Sequence, residues 1–320
     1  MKKIILFLSI GLMAIALIGC NSQQDTGKVK VGILQIIDHP SLNQSREGFI
    51  EELKNLGYTE GNNLEIDYQN AQGDAANLKS MSTKLAKDSD LILAIGTPSA
   101  QAVANETKDI PILFTATTDP VTAGLVKDLN NVGGNISGTS DMSPVKEQLT
   151  LLENITPGIK TVGLLYNAGE ANSKVSIDIA KKELAAKNLN VVEKTVTNPN
   201  DVKQAVEVLA GEVEGIYIPT DNVVASAMPT VGDVAKKNKI PVVTGSTDMA
   251  LEGGLATYGI DYNKLGRQTA AMAAKILKKE AKVQDMPVEY ASENILVVNE
   301  EMAKALVIDP ASITADGLSK

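Results

Sequence analysis

Cysteine and histidine each occur once in the 320 residues, as Cys20 and His39, and tryptophan is absent. A single cysteine excludes an intramolecular disulfide, and one of each leaves no set of soft ligands for a transition-metal cluster. The lone histidine would have to serve any catalytic triad. No Gly-x-Ser-x-Gly nucleophile elbow is present. After the first apolar run stands Gln35-Ile36-Ile37-Asp38-His39-Pro40 rather than a phosphate-cradling Gly-x-Gly-x-x-Gly. Together these gaps argue against an enzyme, and no cofactor is expected. Basic residues are outnumbered 30 to 39, giving a formal charge of −9, so the clustered Lys and Arg that bind nucleic acid are not expected. The one long apolar stretch, Ile4 to Ile18, has 15 residues, short of the about 20 that span a bilayer.

That run follows Met1-Lys2-Lys3 and leads into Leu17-Ile18-Gly19-Cys20, the layout of an export signal. The tetrapeptide resembles the lipobox of bacterial lipoproteins. The resemblance implies removal of residues 1–19 and acylation of Cys20, which tethers the chain to the extracytoplasmic side of the cell membrane. Residues 20–27 are polar without an apolar period and read as a flexible stalk. Loss of Lys2 and Lys3 makes the mature chain more acidic still.

The mature chain repeats itself. Val31-Gly32-Ile33-Leu34 matches Val162-Gly163-Leu164-Leu165, and Glu52-Leu53 matches Glu183-Leu184, both at an offset of 131. Ile95-Gly96-Thr97-Pro98-Ser99 corresponds to Ile218-Pro219-Thr220-Asp221-Asn222, and Ile110-Pro111-Ile112-Leu113 to Ile240-Pro241-Val242-Val243. Such ordered matches indicate a duplicated unit.

Each half alternates short apolar runs with amphipathic stretches, the pattern of a parallel sheet covered by helices. The expected fold is α/β, two doubly wound parallel-sheet lobes joined by a multi-strand hinge. Residues 255–320 fall outside the repeat, so the chain is expected to cross between lobes more than once. The expected bounds are residues 28–140 plus about 259–285 for lobe 1, and 141–258 plus about 286–320 for lobe 2.

At the proposed strand ends stand Ile95 to Ala102, Phe114-Thr115-Ala116-Thr117-Thr118-Asp119-Pro120, Tyr166-Asn167-Ala168-Gly169-Glu170-Ala171-Asn172-Ser173, Pro219 to Asn222 and Gly245-Ser246-Thr247-Asp248. In that order they resemble the bacterial ABC-transporter substrate-binding lipoproteins of the type I periplasmic-binding-protein fold, in the group that includes tryptophan and tyrosine binders. Ala168 stands where relatives often have proline. The resemblance covers nearly the whole mature chain and implies an amino-acid ligand, an aromatic one such as tryptophan or phenylalanine. It also implies permease and ATPase partners.

Helix starts offer free N–H groups and partial positive charge to an anion. Thr97, Ser99 and Ser173 are therefore expected at the ligand carboxylate, with Thr117, Asn167 and Asn172 as further polar contacts. The ligand ammonium calls for a carboxylate. Asp221 occupies the position where the family implies an acidic contact, with Asp248 and Glu170 as second choices. Ile36, Phe114 and Tyr166 are expected around the ligand side chain, with Leu42 and Tyr258 as further apolar candidates. His39 lies in the first loop facing the cleft. The alternative on the same fold is a ligand-sensing lipoprotein that presents its bound state to a membrane signalling partner. Co-purification with a permease and ATPase marks transport, and with a kinase marks sensing.

Overall fold

The computed structural model describes residues 27–318. The expected signal peptide, Cys20 and all but the last residue of the expected stalk lie outside the described residues. Among the described residues no helix is long and apolar enough to cross a membrane.

In chain order the first half runs β1 (Val29–Gln35), α1 (Pro40–Asn55), β2 (Leu64–Asn70), α2 (Ala75–Asp88), β3 (Leu91–Ile95), α3 (Thr97–Glu106), β4 (Ile112–Thr115) and β5 (Ile136–Ser140). The second runs α4 (Val145–Ile155), β6 (Thr161–Tyr166), α5 (Ala171–Ala186), β7 (Asn190–Thr195), α6 (Val202–Glu212), β8 (Gly215–Ile218), α7 (Asn222–Ala225), α8 (Met228–Asn238), β9 (Val242–Thr244), α9 (Thr247–Glu252) and β10 (Ala256–Gly259). Then come α10 (Tyr262–Leu277), β11 (Glu289–Tyr290), β12 (Ile295–Val298) and α11 (Glu300–Leu306).

The two sheets share one topology. Their orders are β2-β1-β3-β4-β5-β11 and β7-β6-β8-β9-β10-β12, so each half carries the doubly wound 2-1-3-4-5 arrangement plus one late strand. The repeat seen in the sequence maps β1 onto β6, and the Ile-Pro pairs precede β4 and β9. Pairing is parallel throughout except for β12, which runs antiparallel to β10.

Parallel strands covered on both faces need apolar residues at every position, and β3 shows it. Leu91, Leu93 and Ile95 join a core beneath α1 and α10, whereas Ile92 and Ala94 join a second core on the opposite face. The other lobe has its own core around Tyr217, Ile216 and Leu164.

The chain crosses between lobes three times, after β5, after β10 and between β11 and β12. Tyr290 pairs with Ser140 in the first sheet, so residues 286–290 lie with lobe 1 rather than opening the lobe 2 segment. The reason is the exposed edge of β5, which β11 covers in parallel register.

Helices α1 and α10 meet through glycines. A Cβ on Gly48 would lie 2.2 Å from the Asn263 carbonyl oxygen, and one on Gly266 would lie 2.0 Å from that of Ser45. The close approach locks together two helices whose first residues both reach the seam between lobes. Gly266→Ala should lower unfolding stability by about 1–3 kcal/mol through overpacking. Gly211→Ala, in α6 with nothing within 4 Å, should be neutral or stabilising by up to about 1 kcal/mol. Denaturant titration of both variants checks this; equal effects would contradict the close-packing account.

Candidate ligand-binding site

The carboxyl ends of both parallel sheets face each other, and the loops leaving them meet. Contacts cross the seam between His39 Nε2 and Asn222 Oδ1 (3.3 Å), the Ser41 and Ser246 hydroxyls (3.1 Å), and the Thr118 and Thr220 hydroxyls (3.4 Å). The lobes are therefore closed on one another. Between them lies a nearly filled cavity of about 10 Å³, room for about one water and far below the roughly 300–1,000 Å³ usual for small-molecule sites, so a bound amino acid requires the lobes to part. Its apolar wall is Leu42, Ala116, Ala225, Met249 and Tyr262, and its polar wall includes His39, Asp141, Asn172, Asp221 and Asn222.

Local structure fixes these groups. Asp221 caps α7: Oδ1 accepts from Val224 N, while Oδ2 accepts from Asn167 N (2.5 Å) and the Ser173 hydroxyl (2.6 Å). One carboxylate thus ties the β8 loop to the start of α5. Glu170 Oε2 accepts from the side-chain amides of Asn172 (3.0 Å) and Asn222 (2.6 Å). Burial, and then the Asp221 charge, push the Glu170 carboxyl from an ordinary 4.5 up to about 7. Burial also raises Asp221.

Asp141 lies on the first crossing between lobes. Its Oδ1 accepts from the Thr118 hydroxyl (2.9 Å) and its Oδ2 from the Tyr262 hydroxyl (2.5 Å), so it joins the first crossing to the end of the second. Burial raises its pKa. No lysine or arginine forms an ion pair with Asp141, Glu170 or Asp221 among the described residues. Nor does any cluster of three His, Cys, Asp or Glu side chains suit a metal there.

The anticipated residues divide. Asn172 and Asp221 line the cavity. Thr97 and Ser99, at the start of α3, and Thr117, after β4, are buried and do not line the cavity, and their hydroxyls have no partner within the protein. Gly96, at φ +91° before α3, sits 3.8 Å by its would-be Cβ from Asn222 Oδ1, which brings the start of α3 to the seam. Ser173 and Asn167 are instead spent on Asp221, and Glu170 on the two asparagines. Asp248, in the first turn of α9, is partly buried and is not among the residues lining the cavity.

The apolar expectations fare less well. Phe114 is fully buried in the core of lobe 1, Ile36 packs in the other core of that lobe against Gly96, and the Tyr166 hydroxyl donates to Glu193 on the neighbouring strand. None lines the cavity. Side chains alternate across a strand, so an apolar residue one place from a strand end points into the core as readily as into the cleft. Missed altogether were Asp141, Met249, Ala225 and Tyr262. The Gly-Thr-Ser-Asp run ending at Asp141 closes a strand of small polar residues, which was the available signal.

The ABC transporter substrate binding protein family model matches residues 30–314. This chain belongs to that family. A tyrosine-binding protein of Clostridioides difficile is 41% identical over 331 residues, covering 99% of this chain and 95% of the relative. A domain from Streptococcus pneumonia in complex with L-Trp is 37% identical, with a TM-score of 0.84 over 88% of this chain and 96% of its own. The ligand-free, open structure of an adhesive substrate-binding protein from Clostridium difficile is 47% identical over 88% of this chain and 95% of its own. Its TM-score is lower, 0.68. Higher identity with poorer superposition fits a difference in lobe arrangement, in keeping with the seam contacts here. Relatives with bound allitol or myo-inositol are 16–17% identical and share the fold alone. Members of the family bind solutes for ABC transporters and are not enzymes.

Protonation should tune this substrate-binding protein. Below about 4.5 Glu170 is neutral whether the chain is folded or unfolded. Between 4.5 and about 7 the unfolded chain has ionised while the folded one keeps its proton, so stability falls as pH rises through that window. The ligand-free protein should lose on the order of 2 kcal/mol from pH 5 to pH 8. Glu170→Gln, whose carbonyl oxygen can take the place of Oε2, should flatten the slope. Thermal unfolding across that range measures it; identical slopes would contradict the assignment.

Proposed function

We propose that this chain is the extracytoplasmic receptor of an ABC importer, tethered through acylated Cys20, and that it closes on an aromatic amino acid. The observation that carries the ligand class is the seam cavity itself, where buried carboxylates and neutral acceptors converge without a cationic side chain. A buried anion without a partner is expensive, and a ligand ammonium supplies the missing charge.

In this reading the ammonium sits at Asp141. Both oxygens of Asp221 are already engaged by three protein donors, so its part is to hold Asn167, Ser173 and the start of α7 in place. The carboxylate goes to the start of α3, where Thr97 and Ser99 offer N–H groups and unpartnered hydroxyls and Thr117 adds another. Leu42, Ala116, Ala225 and Met249 then enclose the side chain. Relatives bearing tyrosine and tryptophan in their names support the aromatic class.

Because Asp141 and Tyr262 lie on crossings between the lobes, a ligand held there touches the hinge as well as both walls. Its contacts are complete only when the lobes are closed, which stabilises the closed form. Closure then marks the loaded receptor for a permease.

Calorimetry with L-tryptophan, L-tyrosine, L-phenylalanine and L-leucine tests the ligand class. At least one aromatic should bind with a Kd of about 1 μM, near −8 kcal/mol. With no tryptophan in the chain, indole emission reports bound ligand directly. Asp141→Asn should weaken binding about tenfold or more by removing a charge-assisted contact. Binding no tighter than about 1 mM by all four would overturn the amino-acid reading. Labelled palmitate should enter the wild-type chain in cells and not Cys20→Ala; equal labelling would refute the anchor.

A further inference from the structure

The hydrogen bonds around His39 fix which of its nitrogens carries the proton. With the Glu170 carboxyl ionised, Oε2 accepts from Asn172 Nδ2 and Asn222 Nδ2, so the Asn222 amide turns its nitrogen to the carboxyl and its oxygen to the other lobe. That oxygen lies 3.3 Å from His39 Nε2. Two acceptors cannot face each other, so Nε2 bears the hydrogen and donates across the seam. A neutral ring then has its lone pair on Nδ1. His39 is 7% exposed, lines the cavity, and its Nδ1 has no partner within the protein.

From this geometry we infer that His39 Nδ1 is a specificity-determining acceptor for an N–H group of the ligand, beside Asp141. This rests on the amino-acid reading above and names the group that the ligand must bring, a free ammonium. Asn172 Oδ1 has the same standing: its amide nitrogen is held by Glu170 and the Thr220 carbonyl, leaving its unpartnered oxygen at the cavity. Two neutral acceptors and one carboxylate make three, the number of hydrogens on a primary ammonium. Burial holds the His39 ring down to about 4, which keeps Nδ1 an acceptor at neutral pH. One ring thereby grips both the ligand and the opposite lobe, so amine recognition and closure share a side chain.

Because the chain contains one histidine, selective ¹⁵N labelling of histidine in the whole protein gives one pair of ring signals. With L-tryptophan bound, Nε2 should be protonated and Nδ1 bare; a protonated Nδ1 would overturn the inference whatever any variant does. A second readout compares L-tryptophan with indole-3-propionate, which lacks the amine. His39→Gln keeps a donor for Asn222 and loses the Nδ1 acceptor, whereas His39→Asn keeps an acceptor near the Nδ1 position and loses the seam contact. The penalty for lacking the amine should shrink about tenfold in His39→Gln and persist in His39→Asn. An unchanged penalty in His39→Gln contradicts the inference while leaving amino-acid binding intact. Failure of the wild type to bind any amino acid removes the reading beneath it, and the inference with it.

Discussion

Negative charge buried without positive charge is the condition around which this molecule is arranged. Asp141, Glu170 and Asp221 are each at least nine-tenths buried, burial raises all three, and none has a cationic partner among the described residues. A protein interior tolerates this only with dense hydrogen bonding or with a cation from outside. The first is seen here. Asparagine amides, hydroxyls and backbone N–H groups satisfy Glu170 and Asp221 from within lobe 2. Asp141 takes only two hydroxyl donors, from Thr118 and Tyr262, and faces the cavity.

The duplicated topology explains how such a site arises. Parallel sheets place every functional loop at one end, and two sheets set end to end bring both loop sets to one seam. The late strands and α10 then stitch the halves together, so the hinge consists of three chain segments rather than one. Asp141 belongs to the first of these segments and Tyr262 begins the helix after the second, and their hydrogen bond joins two of the three crossings. The glycine contacts of α1 with α10 pack the helices that begin just after His39 and at Tyr262 tightly against each other.

Much of this was legible in the residues. The offset of 131 between Val31 and Val162 foretold the equivalence of β1 and β6, and with it two sheets of the same order. The loops bearing Thr97, Asn172 and Asp221 could be placed at the cleft because strand ends carry function in such folds. What stayed hidden follows from geometry. Asp141 follows β5, whose counterpart β10 lies beyond the last matched block of the two halves, so those matches did not reach it. Ser173 and Thr97 look alike as helix-start hydroxyls, yet one is consumed by Asp221 and the other is free, a difference set by a loop 48 residues away in sequence. Phe114 and Leu42 are equally apolar, and only the turn of the backbone sends one to the core and the other to the cavity. Two residues of β11 joined the first sheet because β5 left an edge to cover.

Small-angle scattering with and without ligand tests the central claim most directly, since it reads the distance between lobes and nothing of the local chemistry. Saturating L-tryptophan or L-tyrosine should reduce the radius of gyration, and indole-3-propionate should leave it at the ligand-free value. An unchanged radius with a fully bound amino acid would contradict closure around a zwitterion between the two lobes.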